Sequence, residues 1–217
     1  VTSLAYLHGL AESPEDPKRK HCRTWAEARN IAFAAPDLSL PSLESVTISA
    51  QVNAVEGFIN GLEAPVVLVG ASLGGLVAVA ATRRITGHLR SQLKSLILLA
   101  PAFGFARRRL TSDQGPSKQN ANTIIWSSAM RRWVRLGPQL FEDLPAWVED
   151  DTWTVEIPTY VLHGGRDEVV PKAESEAFVA RNANARLLVI DDDHNLSAAP
   201  AIDSLGRILT EAFGLHD

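Results

Sequence analysis

A serine hydroxyl becomes a nucleophile when a base removes its proton and a third group orients that base. The chain offers such a serine in Gly70-Ala71-Ser72-Leu73-Gly74-Gly75, directly after the apolar run Val66 to Val69 and directly before an apolar helical segment. Strand, tight turn and helix in that order form the context of a nucleophile elbow, where a serine in a strained turn needs neighbours without obstructing side chains. A GxSxG string alone arises by chance in roughly one chain in fifteen of this length, so the placement carries the inference. The competing reading, a serine that merely caps a helix, does not call for glycines on both sides.

An acid and a histidine are expected downstream. The run Thr159 to His163 reads as a strand leading into His163-Gly164-Gly165-Arg166-Asp167-Glu168-Val169-Val170-Pro171, which puts Asp167 in a loop at the strand's end. The run Leu187 to Ile190 leads into Asp191-Asp192-Asp193-His194-Asn195-Leu196, which puts His194 in the next such loop. In a parallel sheet both loops open on the edge where Ser72 lies, so three strand ends supply Ser, Asp and His in that chain order. Ser72 is the expected nucleophile, His194 the base and Asp167 the orienting acid. Glu168 and the run Asp191 to Asp193 stand as alternative acids, the run reading otherwise as a solvated turn in preference to a metal site. His8 and His163, also at strand ends, stand as alternative bases, with His21, His88 and His216 in poorer contexts.

An oxyanion hole needs two N–H donors aimed at the charge that develops on the acyl oxygen. Leu73, following the nucleophile, offers one. Leu10, in the loop after Leu7-His8-Gly9, offers the second, and His8 is then structural. Cys22 reads as a small packed residue rather than a nucleophile.

These positions require elements to carry them. Short apolar runs with β-branched content, at Ser3–His8, Ile31–Pro36, Pro65–Gly70, Ser95–Pro101, Thr159–Gly164 and Arg186–Asp191, predict strands buried on both faces. Helical spacing lies between them at Pro17–Asn30, Ser45–Leu62, Leu73–Ile85, Ala173–Asn182 and Ile202–Phe213. The alternation predicts an α/β fold with a mainly parallel, doubly wound sheet, helices on both faces and sites at the carboxyl ends of the strands. One domain is expected over 1–217, with a cap inserted at 103–157. The cap holds Trp126, Trp133, Trp147 and Trp153, four of the five tryptophans. They form either an apolar acyl or alcohol pocket or the packing of cap on sheet. Its basic clusters, Arg107 to Arg109 and Arg131, Arg132 and Arg135, read as solvated helix faces, with guidance of anionic substrates as the alternative.

Composition narrows the classes. Of 217 residues, 46% are hydrophobic and 21% charged, which is globular usage rather than disorder. A net charge of −4 gives no chain-wide positive field for nucleic acid or an anionic membrane. No run approaches the roughly 18 apolar residues of a membrane span, and the opening residues read as a strand rather than a signal peptide. The single cysteine is compatible with a reducing compartment, and the cytoplasm is the default.

Over essentially its whole length the pattern resembles the α/β-hydrolase superfamily, beginning at what would be that family's third strand, with the two leading antiparallel strands missing. Within it, the opening YLHGLAESPEDPK (Tyr6 to Lys18), the short length and GASLGG look like the small bacterial esterases of the YqiA type. The resemblance implies hydrolysis of small carboxylic esters or thioesters by Ser72, His194 and Asp167 through an acyl-serine, with no metal or organic cofactor. Alternatives of other classes are a catalytically silent protein that binds a small ligand on the same fold, or a peptidase or carbon–carbon bond hydrolase with the same triad.

Overall fold

The computed structural model describes residues 2–111, 123–148 and 153–215; His216 and parts of the 103–157 insertion lie outside the described residues. Each of the six apolar runs becomes a strand of one parallel sheet: β1 (Ser3–Leu7), β2 (Phe33–Ala34), β3 (Val66–Ala71), β4 (Leu93–Leu99), β7 (Thr159–Gly164) and β8 (Ala185–Ile190), in the order β2-β1-β3-β4-β7-β8. Helices α1 (Pro17–Glu27), α2 (Ile48–Asn60), α3 (Leu73–Arg84), α6 (Lys172–Arg181) and α7 (Ala199–Ala212) form the crossovers and the closing segment. Between β4 and β7 lie α4 (Phe105–Thr111), an antiparallel hairpin of β5 (Ile124–Ser127) and β6 (Arg132–Arg135), and α5 (Pro138–Asp143).

Strand residues alternate between two buried faces, as the period of two requires. Ala5, Leu7, Leu68, Leu96 and Leu98 meet the side of the sheet covered by α2, α3 and α6, where Val52, Val55, Leu76, Val77 and Phe178 pack. Leu4, Tyr6, Val67, Val69, Ile97 and Leu99 meet the other side, under Cys22 and Trp25 of α1 and Leu205 and Leu209 of α7. Helix α3 buries ten of its twelve residues, which explains a segment that is apolar all round rather than striped.

The element ends depart from the apolar pattern where backbone chemistry intervenes. Strand β2 keeps only two ladder residues because it is an edge strand running into Pro36, which has no N–H to pair. Helix α1 stops at Glu27, and Asn30 takes a left-handed φ of 55° in the turn that follows. Helix α7 starts at Ala199, three residues before its first large apolar side chain, because Pro200 is preset for a first helical turn. The β5–β6 hairpin lies in the insertion, where the apolar pattern predicts no strand. One face carries the Trp126–Trp133 pair, with ring centroids 5.6 Å apart, while Val134 packs against Ala11 and Leu43. Among the described residues no helix is long and apolar enough to cross a membrane.

Phe178 stacks on Phe103 at 4.5 Å and joins α6 to the residues leaving β4. Phe178→Ala is expected to lower the unfolding free energy by roughly 3–5 kcal/mol, read as a lower urea midpoint with an unchanged slope.

Candidate active site

Ser72 stands at the turn between β3 and α3 with φ 49° and ψ −117°, a conformation that costs a non-glycine residue about 1–3 kcal/mol. Three backbone hydrogen bonds hold it there: its N–H donates to Leu99 O at 2.8 Å, and its carbonyl accepts from Gly75 and Ala102, each at 3.0 Å. The flanking glycines meet a steric demand. A Cβ on Gly70 would lie 2.6 Å from Gly74 O, and one on Gly74 would run into the carbonyls of Leu7 and His8 where β1 ends. The Ser72 hydroxyl caps no amide of α3, so the helix-capping reading fails.

Instead Ser72 Oγ lies 3.1 Å from His194 Nε2, and His194 Nδ1 lies 2.7 Å from Asp167 Oδ2. A carboxylate at Nδ1 accepts the ring proton, which leaves Nε2 bare to accept from the serine. The Asp167 side chain is fully buried, and its Oδ1 accepts from the N–H groups of Val169 and Val170, both at 2.8 Å. The three strand-end residues 72, 167 and 194 are thus brought together.

The alternative acids go elsewhere. Glu168 is exposed, and Asp191 pairs with Arg166 at 2.7 Å. Asp192 is buried and braces the histidine loop, accepting from Asp193 N–H at 2.8 Å and Ala198 N–H at 3.0 Å, while Asp193 accepts from Asn195 N–H at 2.8 Å. The alternative histidines have structural partners or poor settings. His8 Nδ1 donates to Gly9 O and its Nε2 accepts from Leu38 N–H, both at 2.8 Å. His163 is fully buried, His21 is half-buried on the α1 side, where burial lowers its pKa, and His88 is exposed. Cys22 is fully buried, and burial, reinforced by Asp16, pushes its thiol pKa far up.

Leu10 and Leu73 border the same cavity as Ser72 and His194. Among the described residues neither backbone N–H donates a hydrogen bond. The loop carrying Leu10 passes close to the serine: a Cβ on Gly9 would be 3.3 Å from Ser72 Cβ. The cavity measures about 600 Å³, and Phe105, Ile125, Trp126, Val169 and Val170 supply much of its apolar wall. Of the four tryptophans in the insertion, only Trp126 borders it. Trp147 and Trp153 stack on each other at 6.5 Å and pack over α3, so the shared tryptophan pocket gives way to packing for that pair. Trp133 is 65% exposed. The arginines divide as well: Arg108 and Arg109 border the cavity, with Arg108 paired to Glu174, whereas Arg131, Arg132 and Arg135 lie exposed on the hairpin.

The sequence reading missed the groups that hold the loops around the serine. Lys18 is buried in the first turn of α1, and its Nζ donates to Asp16 Oδ2 at 2.9 Å and to Asn195 O at 2.7 Å, linking the loop after β1 to the residue beside His194. A lysine at the positive end of a helix dipole is unfavourable, and that misplacement after an N-capping aspartate was the available signal. Glu12 accepts from Tyr6 OH at 2.7 Å and from Gly9 N–H at 2.9 Å, tying the loop back onto β1.

The alpha/beta hydrolase family model matches residues 7–207. No curated protein matches the chain. Among solved structures, a provisional hydrolase from Agrobacterium vitis S4 superposes with a TM-score of 0.83 at 21% identity, covering 97% of this chain and 87% of that one. The alpha/beta hydrolase domain-containing protein 10 from mouse gives 0.78 at 18% identity, covering 98% and 89%. Est1E from Butyrivibrio proteoclasticus, in a structure with ferulic acid bound, gives 0.77 at 18% identity, covering 99% and 90%. At these identities the likeness is one of fold.

Lys18→Met would leave Asp16 facing Asn195 O with no cation between them. It is expected to cost about 2 kcal/mol of stability, below the full penalty for a buried pair because Asp16 keeps some solvent. Chemical denaturation beside Lys18→Arg, which restores the charge, checks this.

Proposed function

We propose that this chain, which belongs to the alpha/beta hydrolase family, is a serine hydrolase that cleaves carboxylic esters or thioesters of small acyl substrates through an acyl-serine intermediate. The observation that carries the reading is the unbroken line from Asp167 Oδ2 through His194 to Ser72 Oγ, at 2.7 and 3.1 Å, opening on a cavity of about 600 Å³. Such a volume lies within the range of sites that enclose a small molecule, roughly 300–1,000 Å³.

In this mechanism Ser72 Oγ attacks the acyl carbon while His194 Nε2 takes the hydroxyl proton. The carbon–oxygen double bond opens to an oxyanion, and the N–H groups of Leu73 and Leu10 receive its charge. Asp167 keeps the imidazole in the tautomer that leaves Nε2 basic and stabilises the imidazolium that forms. Collapse of the tetrahedral adduct expels the alcohol or thiol, which takes the proton from His194, and the acyl group stays on Ser72. Water then attacks the acyl-serine with His194 again as the base, releasing the acid and restoring the serine. The apolar wall at Phe105, Ile125 and Trp126 suits a hydrocarbon or aryl acyl group. No step draws on a metal or organic cofactor.

Ser72→Ala removes only Oγ and is expected to lower kcat for a p-nitrophenyl ester by about four or more powers of ten while leaving the melting temperature nearly unchanged. A serine-directed fluorophosphonate should label the parent chain and spare the variant. Near-normal turnover by folded Ser72→Ala protein would overturn the reading, and an unlabelled, inactive parent would point to a ligand-binding protein on a hydrolase fold.

Asp167→Asn is expected to lower kcat/KM by about four powers of ten by letting the imidazole adopt the wrong tautomer. Asn at 191, 192 or 193 should leave more than a tenth of the activity. Full activity in Asp167→Asn together with loss in one of the other three would reassign the acid.

A further inference from the structure

The proposed mechanism uses one histidine, yet the Asp167 carboxylate touches two. His163, the last side chain of β7 before Gly164, has its Nε2 3.2 Å from Asp167 Oδ2, the same oxygen that meets His194 Nδ1 at 2.7 Å. Both the His163 and Asp167 side chains are wholly excluded from solvent. Nε2 of His163 also lies 3.1 Å from Val170 O, and its Nδ1 lies 2.7 Å from the hydroxyl of Ser175, which is itself fully buried on α6.

The chemistry of these partners settles the tautomer. A carbonyl only accepts, so Nε2 carries the proton and donates it to Val170 O, with Asp167 Oδ2 in close polar contact beside it. Nδ1 is then bare and accepts from the Ser175 hydroxyl. Burial lowers the His163 pKa, which favours the neutral ring that this assignment describes. Asp167 therefore has two backbone amides on Oδ1 and His194 on Oδ2, with the His163 ring packed against the same Oδ2.

We infer that His163, held by Ser175, is a positioning residue for Asp167 and through it for His194, extending the line of contacts to Ser175, His163, Asp167, His194 and Ser72. This rests on the reading of Ser72, His194 and Asp167 as the reacting set. The amides of Val169 and Val170 fix one carboxylate oxygen, and His163, bonded to the carbonyl of the same Val170 and packed against the other oxygen, holds that turn under Asp167.

Two measurements on the full chain test this. The first is kcat and KM for a neutral ester in His163→Phe and His163→Gln. His163→Phe, with no donor for Val170 O, is expected to lower kcat about tenfold with KM little changed. His163→Gln, whose amide can still donate, should keep kcat within about threefold of the parent. An unchanged kcat in folded His163→Phe, or equal losses in both variants, would overturn the inference. The second covers the case in which His163→Phe does not fold: nitrogen–proton NMR of the parent should show His163 neutral with its proton on Nε2, its shift changing on Asp167→Asn. A proton on Nδ1, or a resonance indifferent to Asp167→Asn, would overturn it. Because the NMR readout needs no turnover, it stands apart from the acyl-serine reading, which Ser72→Ala tests by itself.

Discussion

The head of the sheet depends on how closely the end of β1 approaches the first turn of α3. Gly74 makes that approach possible, because any Cβ there would meet the carbonyls of Leu7 and His8. Once the two backbones are in contact, the loop after β1 is carried over Ser72, and Leu10 and Leu73 border one space. The same contact forces the abrupt turn at Ser72. Its left-handed backbone is unfavourable by itself and persists because Leu99, Gly75 and Ala102 fix it with hydrogen bonds and α3 is buried almost all round. The driving force for the strain is thus the burial of an apolar helix on a parallel sheet.

A second level of organisation acts on the loops. Parallel strands deliver residues 167 and 194 to one edge, but a strand end does not by itself orient a side chain. Orientation comes from polar groups withdrawn from water: Asp192 bracing the histidine loop, Lys18 joining Asn195 to Asp16, Glu12 securing Gly9, and His163 with Ser175 beneath Asp167. Each is buried or partly buried and has a partner, as a polar group must when it leaves solvent. One of them, Lys18 to Asn195, joins residues 177 apart in the chain, so the geometry around Ser72 follows from the completed fold rather than from any one loop.

The insertion between β4 and β7 contributes differently. One wall of the cavity comes from α4 and the β5–β6 hairpin through Phe105, Ile125 and Trp126. Trp147 and Trp153 anchor its later part on α3 and do not border the cavity of Ser72. Aromatic content alone does not separate lining from packing, because both bury large apolar area.

The six strands, the alternation with helices and the strand-end positions of residues 72, 167 and 194 were legible in the sequence, because apolar runs, glycine spacing and chain order are local properties read one element at a time. Local chemistry also explains where that reading erred: Pro36 shortened β2, Pro200 started α7 early, and the short β5–β6 hairpin left too little alternation to notice among arginines and serines. Which acid faces His194, which tryptophan borders the cavity, and that Lys18 and His163 serve the loops of the site were decided only by tertiary structure. Those are relations between distant residues, set by backbone approach and by the need of buried polar groups for partners, and spacing along a chain does not contain them.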